Sequence, residues 1–258
     1  ALILMNKGKM DDAEKLHYET LEARKKYFGN EHPKVGISLN NLAYFLQRRG
    51  KYKEAEKMFR ETLTLWRKLQ GEDHSDVGIA SLNLGALLRA MGELDEAGQL
   101  LNKSLQIRNK VYGPNHLKVS YCLNNLALLY KEKGLFEKAI RTAKQSLKIF
   151  QNTHDGPHYN IANVLNVLGT ISGASGRFTE AESYHLESLN MRLSLYDDDH
   201  IQVGIARSYL GELYVDHGFP DKAEPLLQKA LTSYKQHYPD GNIQTARVKG
   251  LLGSSLGM

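Results

Sequence analysis

Five histidines, His32, His74, His116, His158 and His200, stand 42 residues apart. Imidazoles at a fixed interval raise the question of a metal site. Stacked helical units lie about 10 Å apart, whereas a Zn–N bond measures about 2.0–2.1 Å. The histidines are therefore too far apart to share an ion, and no metal is expected. Each is expected to pack in a loop and bond a nearby backbone group. Cys122 is the one cysteine, which excludes an intrachain disulfide framework and a thiolate zinc site. Within Tyr121-Cys122-Leu123 it reads as a buried, inert thiol. The chain carries no HExxH, no GxSxG and no phosphate-binding glycine loop; Gly250 to Gly253 is repeat framework. No carboxylate pair falls where the repeat would gather it into a pocket. These residues predict neither an enzyme nor a cofactor. What the repeat accumulates instead is amide: Asn41, Asn83 and Asn125 share one position, and Asn40, Asn124 and Asn166 the adjacent one. Asparagine is a modest helix former that carries both donors and an acceptor. It suits two tasks, gripping the backbone of an extended peptide or bridging neighbouring helices.

The elements that hold these residues follow from the same period. Gly8, Gly50, Gly92, Gly134, Gly176 and Gly218 are each 42 apart, and Ala13, Ala55, Ala97, Ala139, Ala181 and Ala223 follow five residues later. Leu42, Leu84, Leu126, Leu168, Leu210 and Leu252 keep the step. A fixed period of this size marks one supersecondary unit stacked on copies of itself. Val35, Leu39, Leu42 and Leu46 have helical spacing, and Gly50 supplies a stop. A second run has Ala55, Phe59, Leu63 and Trp66 on one face. The unit is two antiparallel helices with a tight turn. Small residues mark their crossing, Ala55 and its equivalents on the second helix and Ala43, Gly85, Ala127, Gly169, Gly211 and Gly253 on the first. A loop such as Phe28-Gly29-Asn30-Glu31-His32-Pro33 leads to the next unit, and it degrades at Asp155-Gly156-Pro157-His158 and Asp197-Asp198-Asp199-His200.

The run Leu123-x2-Leu126-Ala127-x2-Tyr130 followed by Ala139, with Ala55-x3-Phe59, resembles the tetratricopeptide repeat. The period is longer than the usual 34 residues, and the terminal proline is missing, with Arg67 near its place. Both departures, with Leu39-Asn40-Asn41-Leu42-Ala43 and Leu123-Asn124-Asn125-Leu126-Ala127, are similar to the kinesin light chain and nephrocystin type. The resemblance covers essentially the whole chain. It implies an all-α helical-hairpin solenoid, a right-handed superhelix of about six 42-residue repeats, with first helices lining the concave face. Residues 1–258 read as one repeat domain with a partial repeat at each end. The opening Ala1-Leu2-Ile3-Leu4-Met5 reads as the tail of a helix in register and not as a signal peptide. The chain is thus expected to be excised from a longer protein, with end-to-end self-association a possibility for the fragment.

With Leu39, Leu42 and Leu46 packed inward, positions 37, 40, 41, 44 and 48 project toward the groove. The resemblance implies that the groove asparagines hold a peptide backbone; the alternative is bridging between helices. Tyr44 and Tyr121 offer flat apolar contact, and Arg48, Arg89 and Lys131 add charge suited to an acidic peptide. The alternative for these bases is to complement the helix dipole. Position 41 becomes Val167, Tyr209 and Leu251 in later repeats, so the polar contacts are expected in the first three.

The charge distribution suggests an acidic ligand toward the N-terminal end; the alternative is a solvated surface with no bearing on a ligand. Residues 1–176 carry 26 bases and 18 acids, whereas residues 177–218 carry 3 and 8. The net charge of +5 also raises nucleic-acid binding, but the groove positions form no regular base-reading pair per repeat. No apolar run approaches the roughly 20 residues that span a bilayer. The sequence thus predicts a cytoplasmic interaction module that binds a linear, acidic peptide in its concave groove. The alternative is a scaffold or regulatory arm packed on other domains of its parent protein.

Overall fold

The computed structural model describes residues 10–238 and 243–255. Ala1 to Met5, Gly8 and Met258, which the sequence reading invoked, lie outside them. Among the described residues the chain forms twelve α-helices. These are α1 Met10–Phe28, α2 Pro33–Arg48, α3 Tyr52–Gln70, α4 Ser75–Ala90, α5 Leu94–Tyr112, α6 Leu117–Glu132, α7 Phe136–Thr153, α8 Tyr159–Ala174, α9 Phe178–Leu193, α10 Ile201–Asp216, α11 Pro220–His237 and α12 Ile243–Ser255. They fall into two compact units, residues 1–129 and 130–258.

Within the first unit, α2 packs on α3 and α4 on α5 as hairpins, and α1 packs on α2. Within the second, α8 pairs with α9 and α10 with α11 in the same way, with α7 on α8 and α12 on α11. The apolar spacing explains each pairing. Val35, Leu39, Leu42 and Leu46 are all buried, and so are Ala55, Phe59, Leu63 and Trp66 of the facing helix. Successive first helices also touch, α2 with α4, α8 with α10 and α10 with α12. The turn inside each hairpin needs positive φ. Gly50 takes φ +75° and Gly92 +87°, where a β-carbon would be strained though it would touch nothing.

The loop between hairpins is where the histidines act. The Nδ1 of His32, His74, His116, His158 and His200 accepts a hydrogen bond from the backbone N–H two residues on, at 3.1–3.2 Å. Each is an N-cap that satisfies one of the orphan donors of the first turn. The residue four places earlier steadies the ring: Phe28, Tyr112 and Tyr196 stack on their histidines at 4.3–4.8 Å. His154 takes this place for His158, with ring centroids 3.7 Å apart. Gln70 breaks the series and instead donates to Asp76 Oδ2 at 3.1 Å.

A second brace crosses the same loop. Nη1 of Arg24, Arg108 and Arg192 donates to the carbonyls of Lys34, Lys118 and Gln202, each ten residues ahead. Replacing His200 by alanine is expected to cost about 1 kcal/mol, the usual loss of a cap. His200→Asn keeps the acceptor and gives up chiefly the stack on Tyr196. Urea midpoints for the two variants check this, and equal losses would refute the cap.

Candidate functional site

Helical geometry and burial define an open stripe on the first helices of the first unit. On α2, Ile37, Asn41, Tyr44 and Arg48 are exposed at spacings of four, three and four residues, on the side away from buried Val35 and Leu39. The equivalent positions on α4 are Ile79, Asn83, Ala86 and Ala90, and on α6 they begin Tyr121, Asn125 and Leu128. Three of these side chains are large, apolar and out in solvent: Ile37 at 46%, Tyr44 at 54% and Tyr121 at 38%.

The two asparagine series part company here. Position 41 belongs to the open stripe: Asn41 is exposed, and Asn83 and Asn125 are half-buried. Position 40 lies on the flank that faces the next first helix. Asn83 Nδ2 donates to Asn40 Oδ1 at 2.8 Å, a bond that ties α4 to α2. Asn124 is half-buried, with its Oδ1 inaccessible to solvent. Asn166 departs from the expected groove position. It is 4% exposed, and its Oδ1 lies 3.2 Å from Nδ1 of His185, a side chain buried on α9. Asn125 Nδ2 donates to the Tyr121 carbonyl one turn back, which leaves its Oδ1 as an acceptor.

The expected bases also separate. Arg48 is exposed at the end of the α2 stripe. Arg89 is half-buried on the flank of α4, and Lys131 is half-buried near the end of α6, in the second unit. Most of the positive charge of the first unit stands elsewhere, on the second helices. Lys25 and Lys26 are on α1, Lys53, Lys57, Arg60, Arg67 and Lys68 on α3, and Lys103 and Lys110 on α5.

Asn83→Ala is expected to lower stability by about 1 kcal/mol, because a half-buried hydrogen bond between helices is lost and Asn40 keeps an unmatched acceptor. Asn41→Ala, one repeat earlier at the same position but in solvent, should change it by under about 0.5 kcal/mol. Equal urea midpoints for the two variants would refute the bridging role of Asn83.

The corresponding face of the second unit has a different chemistry; the sequence predicts its loss of the position-41 asparagines, but not the charged cluster beside Tyr209. Its residues are Asn163, Val167 and Thr170 on α8, Ile205, Tyr209, Glu212 and Asp216 on α10, and Arg247 and Leu251 on α12. The Arg247 guanidinium lies 5.4 Å from the Tyr209 ring centroid and pairs with Glu212. Burial and the neighbouring Glu212 push the Asp216 carboxyl above its usual range. His185 stacks on Tyr209 with centroids 6.0 Å apart, and burial lowers its pKa to about 4. The signal available in the sequence was the acidic bias of residues 177–218, but not which face carries it.

The tetratricopeptide repeat model matches residues 1–68, 35–89, 76–152 and 160–236. No curated protein matches the chain. Among solved structures, BtubC (BKLC) from P. vanneervenii is 22% identical, with a TM-score of 0.67 over 95% of this chain and 92% of its own. A candidate kinesin light chain of Podosopora anserina with nearly identical TPR-like repeats is 21% identical, with a TM-score of 0.61 over 80% of this chain and 98% of its own. NprR, solved in complex with its cognate peptide NprX, is 17% identical, with a TM-score of 0.68 over 99% of this chain and 69% of its own.

Proposed function

Because the chain belongs to the tetratricopeptide repeat family, we propose that it is an interaction module, not an enzyme, that binds an extended peptide along the first-helix face of its N-terminal unit. We take residues 1–258 to act as one repeat domain. The observation that carries the reading is the open stripe on α2, α4 and α6. Large apolar side chains stay in solvent there beside outward-facing amides. Exposed aromatics of this kind are common anchors of recognition. Ile37, Tyr44 and Tyr121 would anchor side chains of the ligand. Asn41 and the free acceptor of Asn125 would bond its backbone, which fixes an extended strand without reading its sequence. Arg48 would take an acidic residue of the peptide at one end of the stripe. The peptide held by NprR, a protein of similar fold, supports a peptide as the ligand class.

Asn40, Asn83, Asn124 and Arg89 hold or line the joints between first helices and would act by positioning the stripe. We place the module in the cytoplasm, where a lone thiol such as buried Cys122 stays reduced. Among the described residues no helix is long and apolar enough to cross a membrane.

The test is fluorescence anisotropy of labelled acidic peptides, with and without a tryptophan or tyrosine, at two salt concentrations. Asn41→Ala/Asn125→Ala and Tyr44→Ala are compared with the wild-type chain. Binding that favours the aromatic peptide and weakens about tenfold or more in both variants is the expected result. Binding indifferent to both variants would refute the site, and no binding at all would favour the scaffold reading.

A further inference from the structure

We propose a second, separate docking site on the opposite side of the first unit, a cleft between α1 and α3 that takes an acidic peptide segment. The two second helices stand apart there and leave a space of about 770 Å³ over α2. Its floor is apolar: Val35 and Leu39 lie on the face of α2 turned away from Ile37 and Asn41, and Leu65 of α3 joins them. The cleft and the peptide stripe thus open in opposite directions.

The rim of the cleft is charged. Lys25, Lys53, Lys57, Arg60 and Lys68 line it against Glu31, Glu56 and Glu61. Two of those three acids are already engaged. Lys68 pairs with Glu31, and Arg60 bonds Glu56 at 2.8 Å while its other nitrogens reach Glu96 at 2.6 and 2.8 Å. Lys53 and Lys57 are left over. They sit one turn apart on α3, exposed, and among the described residues neither has a carboxylate within ion-pair distance.

An apolar floor with two adjacent unmatched ammonium groups at its edge fits a specific chemistry. The occupant rests an apolar side chain on this closed floor, at Leu65, and sets carboxylates against Lys53 and Lys57. The volume is that of a pocket for a few side chains, so a short segment suffices. Part of the excess positive charge of the N-terminal part of the chain would act here, on the second helices.

The experiment uses the whole chain and three labelled probes. One is a peptide of glutamates with leucines at helical spacing, one its lysine counterpart, and one a single-stranded uridine oligonucleotide. The glutamate peptide is expected to bind in low salt and the other two to bind more weakly. Lys53→Glu/Lys57→Glu should weaken it about tenfold or more, while Lys148→Glu/Lys235→Glu, the same charge change at exposed helix positions of the second unit, leaves it unchanged. Both lysines are exposed, so the helical circular dichroism of the variant should match that of the unaltered chain. No binding of the glutamate peptide, or binding that survives the charge reversal, would overturn the proposal. So would an equal loss in Lys148→Glu/Lys235→Glu, which would trace the effect to net charge and not to the cleft. Preference for the oligonucleotide would overturn it in favour of a nucleic-acid surface.

Discussion

Gly169→Ala is expected to lower stability by about 1–3 kcal/mol, the usual range for overpacking. A β-carbon at Gly169 would stand 2.6 Å from Cε1 and Nε2 of His185 and 2.8 Å from Cδ2. The ring has little room to yield, for it is 2% exposed, stacked against Tyr209 and within hydrogen-bond distance of Asn166. The same repeat position is alanine at Ala43 and Ala127, so the intolerance comes from the partner and not from the backbone. Position 185 in the preceding repeat is Ala143. Gly169→Ala/His185→Ala should therefore lose clearly less than the sum of the two single changes, as expected for residues in contact. Additive losses in urea denaturation would show that the clash is not the cause.

Acid should remove about 3 kcal/mol through the same histidine, the equivalent of a pKa moved from 6.5 to about 4 by burial. The native side chain stays neutral while the unfolded one takes up a proton below pH 6.5. The folded state then binds fewer protons, so stability falls as pH falls. The loss begins near 6.5 and is complete a little below 4. His158 acts in the same direction, because burial and the adjacent His154 lower its pKa too. It also loses its cap acceptor when protonated. His185→Gln cannot titrate, so its stability should change less between pH 6.5 and 4 than that of the unaltered protein. Parallel pH profiles for the two would rule out His185 as the source.

Much of the scaffold was legible because it is repeated. Among the described residues the 42-residue step located the hairpins α2–α3, α4–α5, α8–α9 and α10–α11, the turn glycines and the loop histidines, and helical spacing identified the buried faces. What escaped depended on partners that do not keep the step. Position 24 and its equivalents alternate between arginine and an aromatic: Arg24, Trp66, Arg108, Phe150, Arg192 and Tyr234. The period of that brace is therefore doubled, and a search at 42 residues passes over it. Asn166 looked like Asn40 and Asn124 in sequence, but it meets His185, and that contact keeps it inside. The split between the two asparagine series turns on which flank of the helix meets the next one, a matter of packing and not of spacing. Gly71 and Gly113 take φ near +80° with ψ of 169° and 161°, conformations reserved for glycine. Asp155 and Asp197 stand in their places, and α9, which precedes Asp197, ends at Leu193, short of its counterparts.

The central claim is that the first-helix stripe is the peptide receptor. It is tested most directly by placing a photoreactive benzophenone side chain at one site at a time and irradiating with a bound peptide. Tyr44 and Tyr121 report on the stripe. Tyr27, 82% exposed on α1, is an aromatic control outside it. Crosslinks at positions 44 and 121 with little at 27 are predicted. Crosslinks at 27 alone, or equal yields at all three, would contradict the account.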